Sequence, residues 1–342
     1  MPLTLEDIAQ LSGFSKSTVS RVINGDPNVS ALTRERIMEV VNKYNFQPNM
    51  AARGLAAGKT RVLGLVVPQG IGVIFNDPFF SLLIQGVSSA CNASDYSVML
   101  WLAEPEYERQ MISKILYNGI VDGIIVSSML SNDPIITALS QGRLPFLIIG
   151  RHPTNPSVNT IDVDNPNGAR LAVRHLALTG HKRIATITGP LSMTVGADRY
   201  QGYLEGIQEQ RLFTGSELVA EGDFTENSGY LAMQKLLPQQ PDAVFVASDP
   251  MATGAMRAIL EAGLAIPEDI AIVGFDDNPQ ACHTLPKLTT VRQPTQKLGM
   301  LAAETLMDII QNPSDLARNI VLPTELIIRE SCGSRPAADP IR

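Results

Sequence analysis

The sequence is poor in cysteine and has one tryptophan among 342 residues. Its three cysteines, Cys91, Cys282 and Cys332, are an odd and scattered set, which argues against a disulfide framework and against a thiolate metal site. No apolar run approaches the roughly 18 residues that a membrane span requires, and the N-terminus lacks the basic and apolar segments of a signal peptide. We therefore expect a soluble, cytoplasmic protein without a membrane partner, and the missing signal also disfavours a transport binding protein.

Recognisable catalytic and metal-binding patterns are also missing. Neither a helical i, i+4 pair nor an H-E-x-x-H motif occurs among the four histidines, which are His152, His175, His181 and His283. The sequence therefore predicts no metal, no cofactor and no enzyme. A carboxylate pair for glycoside hydrolysis, Asp77 with Asp276, stays open as the enzymatic alternative.

Charge is distributed unevenly along the chain. Residues 1–61 carry eight Lys/Arg and five Asp/Glu, a balance of +3, within a chain of net charge −7. The remainder therefore carries −10, from 27 − 8 = 19 basic and 34 − 5 = 29 acidic residues. A basic N-terminal segment on an acidic body is typical of a nucleic-acid-binding module attached to a domain of another kind.

The segment TLEDIAQLSGFSKSTVSRVING, residues 4–25, predicts two short helices joined by a tight turn. Thr4 and Asp7 form a start like a capping box. Gly13 allows the sharp turn, Ser15 can cap the second helix, and Asn24 ends it.

The second of these helices has two different faces. The apolar face is formed by Val19, Val22 and Ile23. The opposite face carries small donors and long cations, namely Lys16, Ser17, Ser20 and Arg21. Such a helix suits a DNA major groove, and a surface helix pair that binds nothing is the alternative.

A third helix and a linker are predicted next. Thr33 is expected to open a helix whose apolar stripe, residues 37, 40, 41 and 44, closes a small three-helix core. Pro48 ends this helix, and residues 50–56 form a short helix that Gly54 weakens. We expect that helix to form only when something orders it, which sets boundaries near 47 and 60.

From residue 61 onward, short apolar runs alternate with amphipathic stretches. The predicted strands are 62–68, 96–102, 123–128, 146–150, 183–189, 243–248 and 270–275, and the predicted helices are 79–94, 106–117, 166–179, 199–210, 226–237, 249–262 and 294–311. This alternation indicates parallel sheets covered by helices on both faces. Two doubly wound halves are predicted, with a ligand at the carboxyl ends of the strands between them.

The chain resembles the LacI/GalR family of bacterial transcription regulators over nearly its whole length. The motifs that carry the resemblance are TLEDIAQLSGFSKSTVSRVING, VSALTRERIMEVVNKYNFQPNMAARGL (29–55), NDPFF (76–80), VDN (163–165), ASDPMATGAMRAI (247–259) and VGFDD (273–277). The resemblance implies an all-α helix-turn-helix headpiece and an α/β core similar to type I periplasmic sugar-binding proteins.

It also implies a homodimer on a pseudo-palindromic operator, controlled by a small effector in the cleft. The implied domains are a headpiece at 1–47, a hinge at 48–60 and a core at 61–335. Within the core, an N-subdomain spans 61–162 and 292–322, and a C-subdomain spans 163–291 and 323–335.

Family motifs carried over by position give the DNA-binding residues. Lys16, Ser17 and Arg21 are the implied base readers, and a forked Arg21 contact to guanine O6 and N7 is expected. The implied phosphate contacts are Thr4, Ser15, Thr18, Ser20 and Asn24. In the hinge, the resemblance makes Leu55 a minor-groove wedge, with Ala52 beside it and Arg53 near the backbone.

The same family resemblance implies the effector-binding residues. They are Asp77, Phe79, Phe80, Arg151, Arg199, Phe224, Ser248, Asp276 and Gln293. Several of them have a structural alternative. Phe80 could belong to the core, Arg151 could pair with Asp162 or Asp164, and Asp249, beside Ser248, is expected to cap its helix.

Aromatic faces, carboxylates and one or two arginines suit a sugar, because its hydroxyls alternate as donors and acceptors. We therefore expect a sugar-responsive repressor of carbohydrate-metabolism genes. A purine or a phosphorylated metabolite is the alternative effector. The polar, proline-broken end of the sequence predicts no tetramerising helix.

Overall fold

The computed structural model describes residues 3–46, 59–67, 71–102, 119–127, 134–213, 215–314 and 316–333. The chain divides into two compact units, Met1–Arg61 and Val62–Arg342. The predicted helices at 50–56 and 106–117 lie outside the described residues, and so do Ala52, Arg53 and Leu55.

The first unit contains three helices: α1 (Leu5–Ser12), α2 (Lys16–Ile23) and α3 (Ala31–Lys43). Thr4 caps α1 in a reciprocal arrangement, because Asp7 Oδ2 accepts from the Thr4 N–H at 2.7 Å and Thr4 Oγ1 accepts from the Asp7 N–H at 3.3 Å. Gly13 ends α1 with a φ of 74°, in the left-handed region that glycine adopts without strain. The predicted helix-turn-helix is therefore present.

The third helix differs from the prediction at both ends. Ser30, and not Thr33, is its N-cap, with Ser30 Oγ accepting from the Thr33 N–H at 3.3 Å. Tyr44 is 42% exposed, while Phe46 is 8% exposed and packs in the headpiece core. The reason is a reversal at Asn45, whose φ is 47° and which returns Phe46 to the Val41 carbonyl.

The second unit consists of alternating strands and helices. The strands are β1 (Val62–Val67), β2 (Ser97–Leu102), β3 (Gly123–Ser127), β4 (Phe146–Ile149), β5 (Thr160–Val163), β6 (Ile184–Thr188), β7 (Val219–Glu221), β8 (Ala243–Val246), β9 (Ala271–Asp276), β10 (Thr289–Arg292), β11 (Asn319–Leu322) and β12 (Glu325–Ile327). The helices are α4 (Ile71–Asn76), α5 (Pro78–Ala93), α6 (Pro134–Gln141), α7 (Asn165–Leu178), α8 (Thr194–Glu209), α9 (Glu226–Leu236), α10 (Asp249–Glu261) and α11 (Thr295–Gln311).

These strands form two six-stranded sheets. The N-subdomain sheet has the order β11-β5-β4-β3-β1-β2 and the C-subdomain sheet has the order β12-β10-β9-β8-β6-β7. The pairings are parallel except for the antiparallel pair of β10 with β12. The chain passes between the subdomains three times, after β5, after β10 and between β11 and β12.

Helices cover both faces of each sheet. In the N-subdomain, Leu63 and Leu65 pack on one face with Leu83 of α5 and Leu306 of α11, while Val66 belongs to a cluster on the other face. Alternate residues of β1 therefore enter different cores, as period-two geometry requires.

This architecture confirms the predicted fold class. Each of the seven predicted runs contains a strand, and only β9 extends past its run, by one residue to Asp276. The strands that were not predicted, β5, β7, β10, β11 and β12, have three or four residues each. Among the described residues, no helix is long and apolar enough to cross a membrane.

Helix α11 crosses α5 at very short range, and Gly299 makes this possible. A Cβ added there would lie 2.3 Å from the Leu83 carbonyl oxygen, a backbone atom. We predict that Gly299→Ala lowers the free energy of unfolding by about 1–3 kcal/mol through overpacking, although alanine normally favours a helix. Urea unfolding measures the change. The control is Glu304→Ala at an exposed position of the same helix, and a stabilised Gly299→Ala protein would contradict the prediction.

Candidate functional site

The first candidate surface is the outer face of α2. Lys16, Ser17 and Arg21 are exposed there, while Val19 and Val22 are buried on the opposite side against the headpiece core. Both cations have a carboxylate near them: Lys16 Nζ lies 2.9 Å from Glu6 Oε1, and Arg21 Nε lies 3.9 Å from Asp26 Oδ2. Exposed pairs of this kind are weak, so phosphate or base contacts can replace them.

The predicted phosphate-binding residues lie around the ends of the same helix pair. Thr4 and Ser15 act as N-caps, and Asn24 is the C-cap of α2. Thr18 and Ser20 are half-buried beside them. Capping uses the hydroxyls of Thr4 and Ser15 within the headpiece, which makes their structural role independent of any ligand.

The second candidate site surrounds Arg199 in the core. Its side chain is 4% exposed and comes from α8. The guanidinium donates to Asn165 Oδ1 at 2.9 Å, to the Ala247 carbonyl at 2.6 Å and to Asp276 Oδ1 at 3.2 Å, and it stacks 3.7 Å above the Phe275 ring. A buried cation is tolerable only when it is compensated in this way.

Asp276 ends β9 and is 6% exposed. Gln293, directly after β10, donates from Nε2 to Asp276 Oδ1 at 2.6 Å. Burial raises the pKa of Asp276 to about 7, although the charge of Arg199 opposes the shift. Its φ of 121° is a conformation that non-glycine residues keep only under external constraint, as at binding sites.

Ser248, and not Asp249, caps helix α10. Ser248 is the N-cap of α10 and accepts from the Met251 N–H at 3.4 Å. Asp249 is the first residue of that helix, so the prediction that it caps was wrong. Its carboxyl group instead accepts from the Asn278 N–H at 2.8 Å and from Thr290 Oγ1 at 2.6 Å.

Two residues that the sequence analysis did not assign to the effector site, Asn165 and Asp162, complete the network. Asn165 is 1% exposed. Its Oδ1 accepts a hydrogen bond from Arg199, and its Nδ2 donates to Asp162 Oδ1 at 3.1 Å. Burial, with a smaller contribution from the charge of Asp198, raises the pKa of Asp162 to about 6. Both residues flank the end of β5, a strand too short to show a clear pattern.

Arg151 follows β4 and pairs with Asp198, a residue outside the predicted site. Its Nε donates to Asp198 Oδ2 at 2.7 Å and its Nη2 to Asp198 Oδ1 at 2.5 Å. Neither Asp162 nor Asp164 is the partner. Asp198 lies on α8, next to Arg199, so this pair joins the two subdomains.

The NDPFF segment starts α5. Asp77 is the N-cap, accepting from the Phe79 N–H at 2.9 Å, and burial raises its pKa. Phe80 is 4% exposed within the N-subdomain core, which favours its structural alternative. Phe79 is half-buried and contacts Phe80 edge-to-face at 5.3 Å, so Phe79 is the ring of this pair that retains exposed surface.

Phe224 follows β7 in the C-subdomain, and its ring lies beside the end of the neighbouring strand β6. A Cβ added at Gly189, directly after that strand, would lie 2.1 Å from the Phe224 ring. Phe224 has a φ of 69° and is half-buried. Because Gly189 has no side chain, the Phe224 ring can pack directly against the backbone at the strand ends.

Two family models match the chain. Residues 4–49 match the bacterial regulatory proteins of the lacI family, and residues 173–332 match a periplasmic binding protein-like domain. The HTH-type transcriptional regulator CelR of Thermobifida fusca is 38% identical over 96% of this chain and 98% of its own. The chain belongs to the lacI family. It is a DNA-binding transcriptional regulator, as its relatives are, and not an enzyme.

Other relatives and solved structures agree. The transcriptional repressor PurR of Proteus mirabilis is 33% identical over 98% of both chains. A CelR–cellobiose complex has a TM-score of 0.77 at 36% identity, covering 96% of this chain and 99% of that one. The lac repressor dimer bound to operator and the anti-inducer ONPF has a TM-score of 0.87 at 30% identity, covering 97% and 99%.

The raised pKa of Asp276 predicts a pH effect on stability. Between pH 4 and 7 the folded protein keeps a proton on Asp276 that the unfolded chain, with its ordinary value of 3.8, has lost. Asp276 therefore reduces the free energy of unfolding as the pH rises through this range. We expect Asp276→Asn to gain stability relative to the wild type when the pH rises from about 5 to about 7.5.

Urea unfolding at the two pH values measures this difference. Asp308→Asn is the control, because hydrogen bonds from Asn312 and Arg318 lower the pKa of Asp308 and it stays ionised over the whole range. Its difference from the wild type should stay constant. The same constancy for Asp276→Asn would show that Asp276 is ionised throughout.

Proposed function

We propose that the protein is a dimeric, sequence-specific repressor of carbohydrate-metabolism genes whose DNA binding is controlled by a neutral sugar in the cleft between its two subdomains. As a regulator of chromosomal genes it would act in the cytoplasm. The proposed effector-binding residues are Asp77, Phe79, Arg151, Arg199, Phe224, Ser248, Asp276 and Gln293.

The observation that carries this proposal is the hydrogen bonding of Asp276. Arg199 and Gln293 both donate to Oδ1, and no described residue donates to Oδ2, which can therefore accept from a ligand hydroxyl. Asp249 offers the contrast, since described residues donate to both of its oxygens. A carboxylate held by a cation makes strong, oriented hydrogen bonds to hydroxyls.

Flat apolar surface accompanies these acceptors. Phe79 of the N-subdomain and Phe224 of the C-subdomain each keep part of their ring exposed. Aromatic faces pack well against the C–H faces of a sugar ring, because they offer large apolar area without competing polar groups. Carboxylate and aromatic groups from both subdomains would bind the sugar more tightly in a closed cleft.

The relatives support a sugar and name one alternative. CelR has been solved with cellobiose, which makes cellobiose the first sugar to test. PurR repressors are 31–33% identical to this chain, and Phe79 and Phe224 could stack on a purine as well. The purine alternative is therefore kept in the effector screen.

The DNA-binding half of the proposal rests on the exposed face of α2. Lys16, Ser17 and Arg21 would read bases, and the residues at the helix ends would contact phosphates. The dimer seen in the operator-bound lac repressor supports two headpieces on a pseudo-palindrome. The proposal also includes Leu55 as a minor-groove wedge, with Ala52 beside it and Arg53 near the DNA backbone. Cleft closure by the sugar would move the N-subdomains against each other and release the hinge helices, which gives induction.

Asp276→Ala is predicted to weaken sugar binding strongly. It removes the acceptor and leaves Arg199 buried without its carboxylate, so we expect an affinity loss of at least about 2 kcal/mol, roughly thirtyfold. Isothermal titration with cellobiose, other neutral sugars, hypoxanthine and guanine identifies the effector first and then compares the variants.

Asp308→Asn serves as the matched control, because Asp308 also accepts from an arginine and an amide but lies on the surface. It should bind like the wild type. Sugar binding that survives in Asp276→Ala would refute the cleft assignment, and a purine that binds while sugars fail would replace the proposed effector.

Arg21→Ala is predicted to weaken specific DNA binding by about 1–3 kcal/mol, the value of a forked arginine–guanine contact. The affinity for non-specific DNA should fall less, because there the substitution removes only one positive charge near the phosphates. Fluorescence anisotropy against a palindrome selected from random sequence measures both. Arg36→Ala, an exposed cation on α3, is the control, and equal losses on both DNAs for Arg21→Ala would contradict a base-reading role.

A further inference from the structure

The pair of Arg151 and Asp198 is a direct charge contact between the subdomains at the strand ends. Both carboxylate oxygens of Asp198 are used, at 2.7 and 2.5 Å. The geometry is the bidentate fork in which arginine recognises carboxylates most strongly. Asp198 therefore occupies the position on Arg151 that a carboxylate of a ligand would take.

The charge of Arg199, the second arginine near these strand ends, is also paired with a carboxylate. Arg199 donates to Asp276 and also to two neutral oxygens, those of Asn165 and Ala247. It is fully buried behind them, at 4% exposure. An anionic ligand would have to displace Asp276 to reach its charge.

Further carboxyl groups make the surroundings more negative. Asp162 interacts with Asp198, Arg151 and Arg199, and Asp77 interacts with Arg199 and Asp276. Burial raises the pKa of Asp162, and repulsion by Asp198 adds to this shift while Arg199 and Arg151 oppose it. A second negative charge brought in by a ligand would meet this same repulsion.

We propose that Asp198 is a specificity-determining residue that excludes anionic sugars, such as uronates, by neutralising Arg151. The inference rests on the proposed function, namely that the effector is a sugar bound in this cleft. A neutral sugar needs no net charge from Arg151, whose three N–H groups beyond the two that Asp198 accepts can still donate to hydroxyls. Removal of the Asp198 charge exposes an arginine fork aimed at the cleft.

The test is a gain of binding in Asp198→Asn, which keeps the shape and removes the charge. The probes are matched pairs that differ only in an oxidised terminal CH₂OH group: glucose with glucuronate, and cellobiose with cellobiuronate. Isothermal titration at pH 7.5 gives both Kd values. We expect the ratio of the uronate Kd to the neutral Kd to fall at least about tenfold in Asp198→Asn.

Three further variants make the result specific. Glu209→Gln also removes a carboxylate that pairs with an arginine, Arg170 at 3.0 Å, at the far end of the same helix, and it should leave the ratio unchanged. Arg151→Gln added to Asp198→Asn should abolish the gain. Asp198→Ser repeats the measurement if the asparagine variant does not fold.

The outcomes separate this inference from the proposed function. A wild-type protein that binds no neutral sugar contradicts the proposed function, while a uronate bound only by Asp198→Asn would still support the role of Asp198. An unchanged Kd ratio in Asp198→Asn, a gain that survives Arg151→Gln, or tight uronate binding by the wild type overturns the inference.

Discussion

The buried guanidinium of Arg199 is the constraint on which the core depends. A cation at this depth must find acceptors in fixed positions, because leaving it unpaired would cost several kcal/mol. Its acceptors come from the start of α7, the end of β8 and the end of β9. The cluster therefore sets the relative positions of three elements, and a ligand that contacts Asp276 changes a group on which all three rely.

The cluster also lies on the connections between the subdomains. Asn165 follows the first crossing after β5, and Gln293 follows the second after β10. Both are buried amides that hold a charged partner, Arg199 in one case and Asp276 in the other. The residues that compensate these charges therefore lie on the segments that connect the subdomains, so a ligand bound at Asp276 would also act on those connections.

The sequence predicts the large features of this molecule well. Long apolar runs such as 62–68 and 270–275 identify buried strands, and the charged pair at 276–277 marks the end of a strand. Short strands such as β5 and β12 were missed, because three or four residues carry too little pattern. Asp198 was missed as the partner of Arg151, because 47 residues separate them and only the folded topology brings them together. Tyr44 was misplaced since a single left-handed residue, Asn45, reversed the chain.

The position of β11 in the N-subdomain sheet has a consequence for synthesis. This strand pairs with β5, yet it lies near the end of the chain, after the whole C-subdomain sheet except β12. A growing chain can complete its helix-turn-helix unit early, whereas the first sheet stays open at that edge until residues 319–322 have left the ribosome. The nascent regulator would therefore possess a DNA-reading surface long before it possesses the means to control it.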